Sequence, residues 1–100
     1  MKVTFVSNFM NHHQLPFSQE LAGTPGVEYT FISREGIPAS RLALGYEDLD
    51  HRYPFVLCAY DGPEATRRAQ TCLEESDVVI VGSAPTAILA RRLRRGKLTF

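Results

Sequence analysis

The sequence predicts an α/β domain in which helices cover both faces of a mostly parallel sheet. Short runs rich in β-branched and aromatic residues alternate with segments whose apolar residues recur at helical spacing, as in βα repeats. The run 77–82 is almost continuously apolar, which is typical of a strand buried on both faces of a parallel sheet. The 100 residues suffice for one domain with one modest core.

The predicted strands follow the apolar runs of the chain. They cover residues 2–7, 27–33, 55–60 and 77–82, and a fifth begins at 97–100. Right-handed crossovers between successive parallel strands then favour the order 3-2-1-4-5. This is a Rossmann-like, three-layer arrangement.

Three helices are predicted between these strands. The first covers Gln14–Gly23, with Pro16 in its first turn, where a missing N–H costs nothing. The second covers Pro63–Ser76, capped by Asp61 or Gly62. The third runs from about Ala84 to Arg95, with Ser83 as its N-cap and Gly96 at its end.

Residues 34–53 have no clean period, because glycine, proline and an acidic stretch interrupt every candidate element. Connections of this length inside a compact domain are often functional. The alternative is a short helix around Ala39–Leu44. The sequence leaves the two interpretations open.

Charge is balanced overall but divided unevenly. The net charge is zero, so no global field attracts nucleic acid or membrane. Residues 1–85 carry a net charge of −5 and residues 86–100 one of +5. The basic run offsets a helix dipole, or alternatively contacts an anionic membrane surface through Arg91, Arg92, Arg94 and Arg95. It lacks the interleaved aromatic residues of a nucleic-acid site, so no nucleic-acid partner is expected.

Cysteine use and the N-terminal residues predict a cytoplasmic location. The opening residues are interrupted too soon by Asn8 and Asn11 for a signal peptide. Cys58 and Cys72 are expected to be reduced, buried and structural, with no catalytic role. The basic run leaves a location at the inner face of the membrane as an alternative.

Candidate ligand-binding residues follow the first and fourth strands, whose carboxyl ends border the crevice where open parallel sheets bind ligands. Amide and imidazole groups after the first strand suit sugar hydroxyls. The step after the fourth strand is expected to bring a helix N-terminus to the crevice, suited to a phosphate or hydroxyl. The predicted acceptor-binding residues are Asn8, Asn11, His12, His13, Gly82 and Ser83. The alternative is structural: Asn8 forms a turn, a histidine caps the helix, and Ser83 is an ordinary N-cap.

No cofactor or metal is predicted for this domain. The first loop has no G-x-G-x-x-G, and no phosphate-binding G-x-x-x-x-G-K-[ST] is present. Adjacent histidines are expected to point in different directions, and no cysteine or carboxylate cluster joins them in the sequence. No metal ligand is therefore expected, and the sequence identifies no catalytic residue.

Three segments of the chain resemble a known family of proteins. They are residues 2–16 (from Lys2 to Pro16), residues 44–57 and residues 77–85. They are similar to the N-terminal domain of bacterial glycosyltransferases of the GT-B fold, the retaining class called glycosyl transferases group 1 (family 4-like). The resemblance implies that residues 1–100 form the acceptor-side domain of a longer two-domain enzyme, inactive alone. It implies that the missing C-terminal domain binds the nucleotide-sugar donor, and that the acceptor is a glycan, a lipid-linked molecule or a small molecule.

Two other functions remain open at this point. One is a stand-alone flavodoxin-like regulatory or binding module, although a receiver domain would carry an acidic cluster where Ser7 and Asn8 stand. The other is part of a GT-B-fold nucleotide-sugar epimerase. The coding sequence beyond Phe100 would distinguish the transferase from the stand-alone module. A second βαβ half with paired acidic residues favours the transferase, whereas an immediate stop codon favours the module.

Overall fold

A computed structural model describes all 100 residues of the chain. The strands are β1 Lys2–Ser7, β2 Glu28–Ser33, β3 Val56–Cys58, β4 Val78–Val81 and β5 Leu98–Thr99. The α-helices are α1 Leu15–Ala22, α2 Ala39–Ala43, α3 Pro63–Glu75 and α4 Ala90–Arg94. Two 3-10 helices, Ala59–Asp61 and Thr86–Leu89, precede α3 and α4.

The five strands form one sheet in the order β3-β2-β1-β4-β5, and every pair is parallel. This confirms the predicted α/β class and strand order. The central strand β1 pairs along its whole length with β2, from Lys2 opposite Glu28 to Ser7 opposite Ser33. Since all strands run the same way, their carboxyl ends and the loops that follow share one edge of the sheet.

The core lies on both faces of the sheet, as a parallel sheet requires. On one face, Val6, Ile32 and Val79 pack with Ala69 and Leu73 of α3. On the other, Val3 and Phe31 pack with Leu49 and with partly buried side chains of α1, among them Leu15 and Leu21. Leu49 belongs to the aperiodic segment 34–53, which is therefore packed onto the domain and contains the short helix α2.

Helix α1 agrees with its prediction to within a residue, with Gln14 and Gly23 at its ends. Helix α3 starts at Pro63 after the cap residue Gly62, also as predicted. The predicted third strand is too long, because the chain turns into a 3-10 helix at Ala59.

The predicted helix 84–95 is wrong in its first turn. The chain is extended at Pro85 (φ −69°, ψ 141°), the 3-10 helix begins at Thr86, and Ser83 is not its N-cap. A residue that precedes proline is disfavoured in the helical region, which explains why the helical segment does not begin at Ala84.

Two predicted exposures also need correction. Arg92 is wholly buried and so cannot contact a membrane, whereas Arg91, Arg94 and Arg95 are exposed. Cys58 is buried as predicted, but Cys72 is only half-buried. No helix of the chain combines the length and the apolar character needed to cross a membrane.

Candidate functional site

A cavity of about 440 Å³ lies beside the carboxyl end of β1. The loop after β1, helix α2 and the segment from Gly45 to Tyr53 enclose it. Its size falls within the range of small-molecule sites, and its position is where open parallel sheets bind ligands. The side chains on which its chemistry depends are Asn11, His12, His13, Arg41, Tyr46 and Glu47.

Ring faces and one guanidinium form a continuous row in this cavity. The ring of His12 stacks near Tyr46, with centroids 6.0 Å apart and planes 26° apart. The Cζ atom of Arg41 lies 5.6 Å from the centroid of Tyr46 and 5.7 Å from that of Phe9. Cation–π attraction therefore holds Arg41 between two rings and fixes the position of its charge.

The cavity also carries one ion pair and one unpaired cation. Arg52 donates to the carboxylate of Glu47, and both side chains are largely exposed. Arg41 forms no salt bridge. The lining is therefore net positive, with Arg41 as the charge that remains free for a ligand.

Three of the six predicted site residues lie in this cavity: Asn11, His12 and His13. The Oδ1 atom of Asn11 accepts the backbone N–H groups of His13 and Gln14, at 3.0 and 3.2 Å. Asn11, not a histidine, thus closes the turn that leads into α1. The expectation that adjacent histidines diverge is wrong, because the centroids of their rings are 4.0 Å apart.

The other three, Asn8, Gly82 and Ser83, do not line the cavity. The Oδ1 atom of Asn8 accepts the N–H of Phe9 at 2.9 Å, and its carbonyl accepts the N–H groups of Glu35 and Gly36. These contacts with backbone groups agree with the alternative interpretation, in which Asn8 is a turn residue.

Gly82 lies at the tip of the sheet for a packing reason. Its N–H donates to the carbonyl of Val6 at 2.8 Å, which continues the ladder between β1 and β4. A Cβ atom there would lie 2.8 Å from Cε1 of Phe5 and 2.9 Å from Oγ of Ser7. The absence of a side chain is thus explained by close approach of two strands, and the helix N-terminus expected beside Ser83 does not form.

Asp50 positions the segment that encloses the cavity. Its side chain is 2% exposed. One carboxylate oxygen accepts the N–H of Met10 at 2.9 Å, and the other accepts the hydroxyls of Ser33 and Tyr60, each at 2.7 Å. These three donors come from the loop after β1, the end of β2 and the turn after β3. A buried carboxylate needs such partners, and here they join three loops at one point.

Burial raises the pKa of the Tyr60 phenol and of the Cys58 thiol beside Asp50. The hydrogen bond to the Asp50 carboxylate raises the pKa of Tyr60 further, because it stabilises the protonated phenol. Tyr60 therefore acts as a donor to Asp50 and not as a base.

A second cavity, of about 550 Å³, runs between α3 and the faces of β1 and β2. All but one of its lining residues are polar or charged in type, Lys2, Glu28, Arg67 and Arg68 among them. It extends along the face of the sheet and lacks the aromatic surface of the carboxyl-edge cavity. We therefore place the candidate site at the carboxyl edge.

Sequence reasoning missed Arg41, Tyr46, Glu47 and Arg52, all within the segment 34–53. Only the absence of periodicity in a long, charged connection marked this segment, and that signal identifies no individual residue. Their convergence on the loop after β1 depends on Asp50 and Leu49, which pack inward.

Comparisons of the chain with models of protein families, with curated proteins and with solved structures found no match. The class of the protein therefore rests on its fold and its candidate site. The chain is a parallel, Rossmann-like α/β domain with an aromatic and cationic cavity at its carboxyl edge.

Proposed function

We propose that this chain binds a carbohydrate acceptor, as the acceptor-side domain of a glycosyltransferase of the GT-B fold. The observation that carries the proposal is the row of His12, Tyr46 and Arg41 in the carboxyl-edge cavity. The resemblance of segments 2–16, 44–57 and 77–85 to such enzymes favours a transferase over other carbohydrate-binding proteins.

A sugar ring presents an apolar C–H face and a rim of hydroxyls. His12 and Tyr46 are exposed, and their rings offer aromatic surface to the C–H face. The amide of Asn11 and the carboxylate of Glu47 lie beside that surface and offer donors and acceptors to the hydroxyls. Apolar surface with a few placed polar groups is the usual composition of a small-molecule site.

The unpaired Arg41 favours an acceptor that carries an acidic group. A guanidinium held between rings binds a carboxylate or phosphate with two parallel, charge-assisted hydrogen bonds, which are stronger than the bonds it donates to the hydroxyls of a neutral sugar. We therefore expect uronic acids or sugar phosphates to bind this cavity more tightly than neutral sugars.

The other parts of the reaction are assigned to a second domain by the resemblance alone. That domain would bind the nucleotide-sugar donor, and the reaction would occur in the cleft between the two. The residues of this chain bind and orient the acceptor in this proposal, and no proton transfer is assigned to any of them.

The binding step is tested by NMR titration of the chain with glucose, glucuronic acid and glucose 6-phosphate. We expect shifts at residues 9–13 and 41–53, with the two anions bound more tightly. Tyr46→Ala should weaken binding about 10-fold or more through lost stacking area, and Arg41→Gln should remove the preference for anions. Arg94→Ala, an exposed cation outside the cavity, is the matched control. Shifts confined to other surfaces would contradict the site.

The transfer step is tested in the full-length protein with a sugar-transfer assay. His12→Ala combined with Tyr46→Ala should raise the KM for the acceptor and leave that for the donor unchanged. These exposed residues are preferable to Asn11, whose side chain also holds the turn before α1. Unchanged acceptor kinetics in a folded double variant would contradict the proposed role of the cavity.

A further inference from the structure

We propose that His51, Cys58 and Asp61 form a binding site for Zn²⁺ or a similar divalent transition metal. The site is independent of the proposed acceptor cavity. Its three donor atoms, one imidazole nitrogen, one sulfur and one carboxylate oxygen, all lie within 4.8 Å of one another. Cys58 ends β3, Asp61 closes the following 3-10 helix, and His51 belongs to the segment that packs against them.

The donor set favours a transition metal over Mg²⁺ or Ca²⁺. Thiolate and imidazole are preferred by Zn²⁺ and its neighbours in the series, whereas Mg²⁺ and Ca²⁺ need oxygen ligands throughout. Three protein ligands leave a fourth tetrahedral position for water or a ligand, as in open zinc sites. A cavity of about 530 Å³ adjoins the three residues and gives access to that position.

Only small movements would close the donors around an ion. Bonds of about 2.0 to 2.3 Å place tetrahedral zinc ligands about 3.3 to 3.7 Å apart. The Nε2 atom of His51 already lies 3.7 Å from Oδ2 of Asp61. Both side chains are more than half exposed, so neighbouring atoms leave room for small shifts, whereas Cys58 is 6% exposed and lies at the end of a sheet strand.

An orienting carboxylate stands behind the histidine. The Nδ1 atom of His51 lies 3.4 Å from Oδ2 of Asp48, which leaves Nε2 directed toward Asp61. The other oxygen of Asp48 accepts the N–H of Asp50 at 3.0 Å, so Asp48 is itself held in place. A carboxylate on the second ring nitrogen is the usual arrangement around a metal-bound histidine.

The three ligands do not follow a familiar metal-binding spacing along the chain. Six residues separate His51 from Cys58, and two separate Cys58 from Asp61. The expectation of no metal site rested on His12 and His13, which no cysteine or carboxylate cluster joins in the sequence. The fold of segment 34–53 back onto the end of β3 brings His51 to the other two.

The test is a titration of the chelator-treated chain with Co²⁺ and then Zn²⁺, under a non-thiol reductant. We expect one Co²⁺ per chain, a thiolate-to-cobalt charge-transfer absorption band, and displacement by one equivalent of Zn²⁺. Mg²⁺ should not compete. Absence of the thiolate band, or binding of Mg²⁺ with equal affinity, would overturn the proposal.

Variants assign the ligands. Cys58→Ser should abolish the charge-transfer band, and Cys72→Ser, the matched control, should keep it. His51→Ala and Asp61→Asn change exposed side chains, so they test the site even if the buried Cys58→Ser chain does not fold. Each should weaken Co²⁺ binding at least 10-fold, and Asp48→Asn, an orienting residue, about 10-fold. Unchanged affinity in both His51→Ala and Asp61→Asn would overturn the site.

Discussion

At the scale of single residues, Arg92 shows how one side chain can serve several elements. Its guanidinium donates to the carbonyls of Leu73, Ser76, Asp77 and Leu98 and to the hydroxyl of Thr99. It therefore satisfies orphan carbonyls at the end of α3 and joins the starts of β4 and β5. Burial lowers the pKa of Arg92, and the charge of Asp77 opposes that shift.

Replacement of Arg92 should destabilise the domain strongly. Arg92→Met leaves several buried carbonyls without donors, each at about 1 to 3 kcal/mol, so we expect a loss of at least about 3 kcal/mol in the free energy of unfolding. Arg92→Lys should also destabilise, because an ammonium cannot reproduce the planar fork. Urea unfolding measures both. The exposed Arg94→Ala should stay within about 0.5 kcal/mol of wild type; an equally small effect at Arg92 would contradict its role.

Gly82 makes a second residue-scale prediction. Gly82→Ala places a methyl group against Phe5 and Ser7 at less than 3.0 Å, so the ring or the strand end must shift. We expect the free energy of unfolding to fall by about 1 to 3 kcal/mol, as it does when a core is overpacked. At Gly23 an added Cβ meets its nearest atom at 3.4 Å, an ordinary contact, so Gly23→Ala is the control. Equal stability of the two variants in thermal unfolding would show that the strand end yields freely.

At the scale of elements, the structure divides the chain into parts with and without a local signal. Helices α1 and α3 were predicted almost to the residue, because proline, glycine and apolar periodicity mark their ends and faces locally. The start of the helical segment before α4 was predicted wrongly. Pro85 constrains the backbone of the residue before it, and this effect outweighs the preference of Ser83 for an N-cap position. Segment 34–53 carries no periodic signal, and Asp50 and Leu49 anchor it.

The Asp50 anchor predicts how that segment loosens. Asp50→Asn replaces one acceptor oxygen with an NH2 donor, which then faces groups that are themselves donors. We therefore expect the free energy of unfolding to fall by about 1 to 3 kcal/mol. The amide of Met10, which donates to this carboxylate, should exchange its hydrogen faster. Amide exchange followed by NMR measures the effect, with Glu20→Gln on the exposed face of α1 as control. Unchanged protection at Met10 would show that packing of Leu49 holds the segment alone.

At the scale of the whole molecule, the alkaline pH dependence of stability should reflect groups that hold their protons more tightly in the folded chain, among them the phenols of Tyr29 and Tyr60. Tyr29 is 7% exposed, and burial raises its pKa to about 12 from 10.0, although a hydrogen bond with Ser18 acts in the opposite direction. The unfolded chain thus loses this proton first. Stability from Tyr29 is complete below pH 10 and is lost as the pH rises toward 12, by at most about 3 kcal/mol.

Tyr29→Phe tests that dependence. The variant should show a shallower loss of stability between pH 10 and 12 in urea unfolding. At neutral pH it should be less stable by about 1 to 3 kcal/mol, because the buried hydroxyl of Ser18 loses its partner. Ser18→Ala combined with Tyr29→Phe should recover part of that neutral-pH cost. An unchanged alkaline slope in Tyr29→Phe would assign the titration to other groups.

The sequence by itself determined the α/β class, the parallel sheet and the order 3-2-1-4-5. Apolar periodicity is a local property, and the handedness of crossovers leaves few ways to arrange the strands. It also placed Asn11, His12 and His13 at the carboxyl edge, since they directly follow β1.

Only the tertiary structure decided which distant groups meet. The burial of Arg92, the three donors on Asp50 and the approach of His51 to Cys58 each join segments with no mutual signal in the sequence. The physical reason is that a buried charge or a ligand cluster is defined by partners from several loops. Local propensity fixes each loop's ends, whereas packing and hydrogen-bond satisfaction across the whole fold fix where the loops meet.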